Sequence, residues 1–100
     1  MNTISSLLKF IAERLTGIQG GNIGIGSVPA NSYTDVPVTF PKAYSSYPYV
    51  LVGLTSTSES ATMGSFQISA INVTTTGFTI RTFNNTSSAR TPAARWIAIP

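Results

Sequence analysis

The stretch Asn72-Val73-Thr74-Thr75-Thr76-Gly77-Phe78-Thr79-Ile80 reads as two strands meeting at a corner. A β-branched run stops at three threonines and resumes after one glycine with an aromatic and a further β-branched residue. Such residues suit the pleated surface of a sheet. A glycine between two runs of this kind is a hairpin signal, because glycine takes positive φ at little cost. Phe78 and Ile80 then share one face of the returning strand.

Outward from this corner, six segments have strand character: Ile23 to Val28, Tyr33 to Phe40, Tyr49 to Ser56, Ser65 to Val73, Phe78 to Asn84 and Ala93 to Ile99. Turn-forming residues separate them, among them Pro29-Ala30-Asn31, Pro41-Lys42 and Thr86 to Pro92. Short strands at this spacing predict an all-β fold, a six-stranded antiparallel β-sandwich. Alternation places Val36, Val38 and Phe40 on one face, and likewise Val50, Val52 and Leu54, then Phe66, Ile68 and Ala70, and finally Trp96 and Ala98. Asp35, Thr39, Gln67, Ser69, Thr79 and Arg81 fall on the opposite faces. The Tyr49-Val50-Leu51-Val52 strand is apolar on both sides, which suits a central strand or a contact between subunits. Ile97 and Ile99 likewise face away from Trp96.

Before the strands, Ile4, Leu7, Leu8, Ile11 and Leu15 recur at helical spacing. They predict one short N-terminal α-helix from Thr3 to Leu15, capped by Asn2 or Thr3 and ended by Gly17. A helix this short is marginal alone, so its stripe must be covered. It packs either on its own β-domain or on the same helix of neighbouring chains. Ile4, Leu7 and Ile11 fall at a, d and a positions of a short coil and favour the second. The organisation expected is a helical stalk or trimerisation segment at 1–17, a glycine-rich joint at 18–22, and the sandwich at 23–100.

Composition restricts the chemistry. The chain has no histidine and no cysteine, and its acids are Glu13, Asp35 and Glu59. General acid–base work needs two positioned titrating groups, and a hard-metal site needs several oxygen ligands. Neither is legible, so the sequence predicts no enzyme, no metal and no cofactor. Gly24-Ile25-Gly26 lacks the third glycine and the helix of a phosphate-binding loop. The Asn-X-Ser/Thr triplets at Asn72, Asn84 and Asn85 are incidental in so hydroxyl-rich a chain. Six Lys and Arg give a net charge of +3 but are scattered, which argues against nucleic acid. No stretch could insert into a membrane. Leu7-Leu8, followed at once by Glu13 and Arg14, is too short a centre for a secretory signal.

Polarity comes instead from Ser, Thr and Asn, about a third of the chain. Hydroxyl and amide surfaces suit carbohydrate contact, and equally suit any exposed sheet. Tyr33, Tyr44, Tyr47, Tyr49 and Trp96 offer rings for sugar faces. Trp96 lies within a strand and is expected in the core, whereas Tyr44 and Tyr47 flank a loop. Arg81, Asn84, Asn85 and Arg90 form the polar end of one hairpin region and could hold sugar hydroxyls, or form only a solvated loop.

Four pieces stand in order: Val38-Thr39-Phe40-Pro41, Tyr49-Val50-Leu51-Val52-Gly53-Leu54, Asn72-Val73-Thr74-Thr75-Thr76-Gly77-Phe78 and Arg95-Trp96-Ile97-Ala98-Ile99. Together they resemble the H-type lectin domain over residues 23 to 99, in the short form found at the C-terminal tips of bacteriophage tail or fibre proteins. The resemblance implies a six-stranded sandwich that assembles as a homotrimer, with sugar sites near subunit boundaries. It also implies an acidic and a basic residue on adjacent strands that hold N-acetylgalactosamine-type sugars. Here the region after Leu54 reads Thr55-Ser56-Thr57-Ser58-Glu59, without the expected aspartate, and residues 65 to 72 contain no arginine.

The reading is therefore a non-enzymatic receptor-binding tip domain of a phage tail fibre or related virion protein. It would bind host surface glycans or cell-wall polysaccharide multivalently as a trimer. Sugar contacts are expected at Tyr44, Tyr47, Arg81, Asn84, Asn85 and Arg90. Trimer contacts are expected at Ile4, Leu7, Leu8, Ile11, Leu51, Ile97 and Ile99. The alternative is a structural trimerisation or capping domain with no ligand of its own.

Overall fold

A computed structural model describes residues 3–55 and 65–100, and within the helix the side chains of residues 3–9 and 16. The expected contacts and groups at Ile11 (side chain), Ser56 and Glu59 lie outside the described residues. Helix α1 runs Thr3–Thr16, and six strands follow: β1 Gln19–Gly24, β2 Ser32–Thr39, β3 Tyr49–Leu54, β4 Phe66–Ile71, β5 Gly77–Asn84 and β6 Ala93–Ile99. They form two antiparallel three-stranded sheets, in the orders β1-β6-β3 and β2-β5-β4. The all-β sandwich read from the alternation is the fold.

The core is the set of inward positions. Ile25, Val28, Val38, Phe40, Phe78, Ile80, Ala94, Trp96 and Ala98 are buried in one cluster, and Val36, Val50, Val52, Ile68 and Ala70 pack against it. At its centre Phe40, Phe78 and Trp96 meet with ring centroids 5.5–5.7 Å apart. These tilted and edge-on arrangements are the ones that aromatic quadrupoles favour. Trp96 thus belongs to the core, as its strand position indicated.

The Asn72–Gly77 corner does form the turn between paired strands β4 and β5, but by different means from those expected. The left-handed residue is Asn72, at φ 53°, and asparagine tolerates that region better than most side chains. The Thr74 hydroxyl accepts from the backbone N–H of Thr76 and of Gly77, at 3.2 Å each, a local side-chain turn. Gly77 is needed for room. It pairs with Thr39, and a Cβ there would collide with the Val38 carbonyl oxygen.

The first strand also begins earlier than the sequence indicated. Gln19–Gly24 pairs along its whole length with β6, so residues 19–22 are sheet and not a joint. Their glycines admit Trp96: a Cβ on Gly20 would sit 2.9 Å from the Trp96 carbonyl oxygen, and one on Gly21 would sit 3.1 Å from its indole Nε1. Beyond Gly24 the chain leaves the sheet at Gly26, φ 79°. Val28 then makes only a single bridge, to Arg90.

Strand β3 is an edge strand, since β6 occupies the middle of its sheet. Its doubly apolar pattern therefore does not mark a central position. The molecule is 61 Å long and 25 Å wide. Ile4, Leu7 and Leu8 are 69%, 55% and 61% exposed. These three residues of the stripe are therefore not covered by the chain's own β-domain.

Candidate functional site

Among the described residues, the outer face of the β2-β5-β4 sheet carries an ordered charged cluster. Arg81 on β5 stands directly opposite Asp35 on β2 and Ser69 on β4. Its Nε donates to Asp35 Oδ1 at 2.8 Å and its Nη2 donates to Oδ2 at 2.9 Å. This is the two-point fork that guanidinium and carboxylate form well. Tyr33, two residues before Asp35 and so on the same face, lies beneath the guanidinium, with Cζ 4.2 Å from the ring centroid. The cluster is reachable: the Arg81 and Asp35 side chains are 44% and 37% exposed. Hydrogen bonding from Arg81 is the main cause that holds the Asp35 carboxyl below the usual aspartate range. Asp35 in turn pushes the guanidinium up. Both are therefore charged at neutral pH. Phe83, the next outward residue of β5, stands between Tyr33 and Gln67.

The other expected sugar contacts are dispersed. Asn84 is fully buried. Its Nδ2 donates to the carbonyls of Val28 and Ser88, at 3.0 Å each, and its Oδ1 accepts from Thr86 N–H at 2.9 Å and Thr86 Oγ1 at 2.6 Å. These bonds hold the 84–88 loop and tie it to Val28, so Asn84 is a buried anchor and not a sugar contact. Asn85 is exposed, and Arg90 is half-buried at the backbone bridge to Val28.

Tyr44 is also half-buried. Its hydroxyl donates to the Gly17 carbonyl at 2.6 Å and lies 3.2 Å from the Ala98 carbonyl, and its ring packs edge-on against Phe40 at 5.1 Å. It fastens the start of the sandwich to the core and is not a free platform. Tyr47 is 75% exposed. Tyr44 is held at Thr75, next to the start of β5, and Asn84 ends that strand. At about 3.3 Å per residue the two lie on the order of 20 Å apart, too far to share one ring. Arg81 alone of the expected set sits in the ordered cluster.

A groove of about 580 Å³ runs beside Tyr44, lined by Thr16, Gly17, Gln19, Lys42 and Pro100 among others. Gln19 is tied to Lys42 beside it: Nε2 donates to the Lys42 carbonyl at 2.8 Å, and Oε1 accepts from Lys42 N–H at 2.9 Å. Its polar groups are thus occupied in closing the sandwich.

The outer face of the β1-β6-β3 sheet carries an apolar patch beside the exposed Arg95 and Asn22. Leu51 pairs with Ile97, and Tyr49 with Ile99. Tyr49, Leu51 and Ile97 are 74%, 61% and 38% exposed. Among the described residues, no three or more His, Cys, Asp or Glu side chains gather as a metal-binding group, and no helix is long and apolar enough to cross a membrane.

Two antiparallel three-stranded sheets, closed by an Arg-Trp-Ile-Ala-Ile strand and a Gly-Phe hairpin, define a lectin-type sandwich. The H-type lectin domain profile matches residues 35–99, and the chain belongs to that family. No curated protein matches the chain in sequence. Among solved structures, the Pseudomonas aeruginosa R1 pyocin fibre superposes with a TM-score of 0.69 at 24% identity, covering 83% of this chain and 22% of that one. The tailspike gp49 of Pseudomonas phage LKA1 gives a TM-score of 0.68 at 28% identity, covering 82% of this chain and 14% of that one. The Gp54 tailspike of Acinetobacter baumannii bacteriophage AP22, solved with A. baumannii capsular saccharide, gives 0.58 at 14% identity, covering 82% of this chain and 16% of that one. The chain thus spans about a fifth or less of these fibre and tailspike chains. What it shares with them is the domain fold.

Proposed function

We propose that this domain is a non-enzymatic receptor-binding module of a phage tail fibre or related virion protein, that it acts as a homotrimer, and that it holds a host surface glycan. The observation that carries this reading is an H-type lectin sandwich with an ordered, reachable aromatic–guanidinium–carboxylate cluster, bordered on its sheet face by Ser69, Gln67 and Phe83. The likeness to fibre and tailspike domains, one of them solved with a capsular saccharide, supports the location in the virion tail and the class of ligand.

Trimer formation covers what a single copy leaves exposed. The stripe of Ile4, Leu7 and Leu8 on α1 and the patch of Tyr49, Leu51 and Ile97 are both apolar and open, and such surfaces mark interaction sites. Three modest sugar sites on one assembly then act together, because after the first contact the others bind at high effective concentration. The test is retention of the intact chain on immobilised capsular polysaccharide or lipopolysaccharide of the host. Absence of retention on either would overturn the glycan reading.

The same apolar surfaces favour a second reading, a cap that only joins three chains and ends a fibre. It predicts assembly with no ligand. Substituting Arg81 and Tyr47 by alanine separates the two: host binding lost from an intact trimer supports adhesion, and unchanged host binding supports the cap.

A further inference from the structure

The geometry points to the Tyr33–Asp35–Arg81 cluster, bordered by Ser69 and Gln67, as a site for one neutral pyranose unit. This rests on the glycan reading above and specifies its place and ligand class.

A sugar hydroxyl both donates and accepts, and the cluster presents both complements side by side. Asp35 keeps carboxylate lone pairs beyond the two engaged by Arg81, and both Nη1 hydrogens of Arg81 lie outside the fork. Two adjacent ring hydroxyls can therefore bridge the pair, one donating to Asp35 and one accepting from Arg81. Ser69, directly opposite Arg81, adds a hydroxyl, and Gln67, one step along β4, adds an amide. Both are exposed.

The charge balance sets the ligand class. Asp35 and Arg81 cancel, so the row Asp35–Arg81–Ser69 is neutral as a unit. A uronic or sialic acid would bring its carboxylate against Asp35, and an amino sugar would bring its ammonium against Arg81. Phe83, directly opposite Tyr33 across β2 and β5, gives an apolar border for the C–H face of a neutral ring. The fork and the ring beneath it already fix the guanidinium, so little side-chain freedom remains to be lost on binding. Asp35 and Arg81 lie on β2 and β5, whereas the family resemblance placed its acid and base after Leu54 and along residues 65–72.

The test is a ¹H–¹⁵N titration of the intact chain with the methyl glycosides of glucose, galactose, mannose, N-acetylglucosamine, N-acetylgalactosamine and glucuronic acid. At least one neutral glycoside is expected to shift the amides of Tyr33, Asp35, Gln67, Ser69 and Arg81. Arg81→Gln and Asp35→Asn should each weaken that binding tenfold or more. Ser69→Val, which leaves the fork intact, should weaken it several-fold, so the proposal does not depend on variants that lose the ion pair. Shifts confined to another face would overturn this site and leave the glycan reading standing. Tighter binding of the glucuronide would overturn the ligand class. Silence with every glycoside, while host polysaccharide is still retained on a column, would overturn the site alone. Silence in both would overturn the site and the glycan reading together.

Discussion

Leu51 and Ile97 stand directly opposite one another across the β3–β6 ladder, and both point outward into solvent. Directly opposite side chains lie roughly 5 Å apart, so the two act as one apolar patch, extended by the neighbouring pair Tyr49 and Ile99. The sheet that carries this patch uses its other face for the core.

Replacing both Leu51 and Ile97 with serine should therefore leave the fold intact and weaken self-association. Fully covering one Leu or Ile side chain contributes roughly 1.5–3 kcal/mol. Sedimentation velocity should show the assembled species giving way to protomers at micromolar concentration. An unchanged distribution would show that this face takes no part.

The Asp35–Arg81 fork predicts a pH dependence. Asp35 titrates below the usual aspartate range in the folded chain because Arg81 hydrogen-bonds its ionised form. A group with a depressed folded-state pKa stabilises the fold above its unfolded value, and that stabilisation is lost as pH falls through the folded value. The melting temperature of the native chain should therefore exceed that of Asp35→Asn at neutral pH. The gap should close at pH values below the ordinary aspartate range. The pair is open to solvent, so the gap should be small and should shrink further in molar salt. A gap that widens on acidification would contradict the assignment.

Gly77→Ala tests the close approach of β5 to β2. Its Cβ would meet the backbone carbonyl of Val38, which cannot rotate aside as a side chain can. Overpacking of this kind typically costs about 1–3 kcal/mol. Urea denaturation should show a lower midpoint. An unchanged midpoint would mean that the strands part here without cost.

Asn84→Ala should destabilise the chain by about 1–3 kcal/mol, because it orphans buried partners on Val28, Thr86 and Ser88. Its effect on glycan binding should be no larger than this loss of folded protein. A binding defect in fully folded variant would return Asn84 to the site.

Alternation made the sandwich legible, because one buried face per sheet imposes a period of two on Val36-Val38-Phe40 and on Trp96-Ala98. The helix was legible from its apolar recurrence at a period of 3.6, although Ile4, Leu7 and Leu8 of that stripe are exposed. The Gly20-Gly21 pair was not. Glycines that loosen a chain and glycines that admit a tryptophan look alike until the partner strand is known. Asn84 and Tyr44 misled similarly: an amide at a strand end or a phenol in a loop reads as a ligand contact, and only tertiary packing showed both bound to backbone carbonyls. The Tyr33–Asp35–Arg81 cluster was half visible. Asp35 and Arg81 could both be placed on outward faces, but they are 46 residues apart, and only the β2–β5 register sets them opposite. Tyr33, two positions before Asp35, was the available signal for the rest.

Multivalent glycan contact is tested most directly by the rate at which the chain leaves immobilised host capsular polysaccharide, compared between the native chain and the Leu51→Ser/Ile97→Ser variant. The native chain should dissociate at least tenfold more slowly, because three sites hold where one lets go. Equal dissociation rates, with the variant verified as a folded protomer, would contradict a trimeric adhesin.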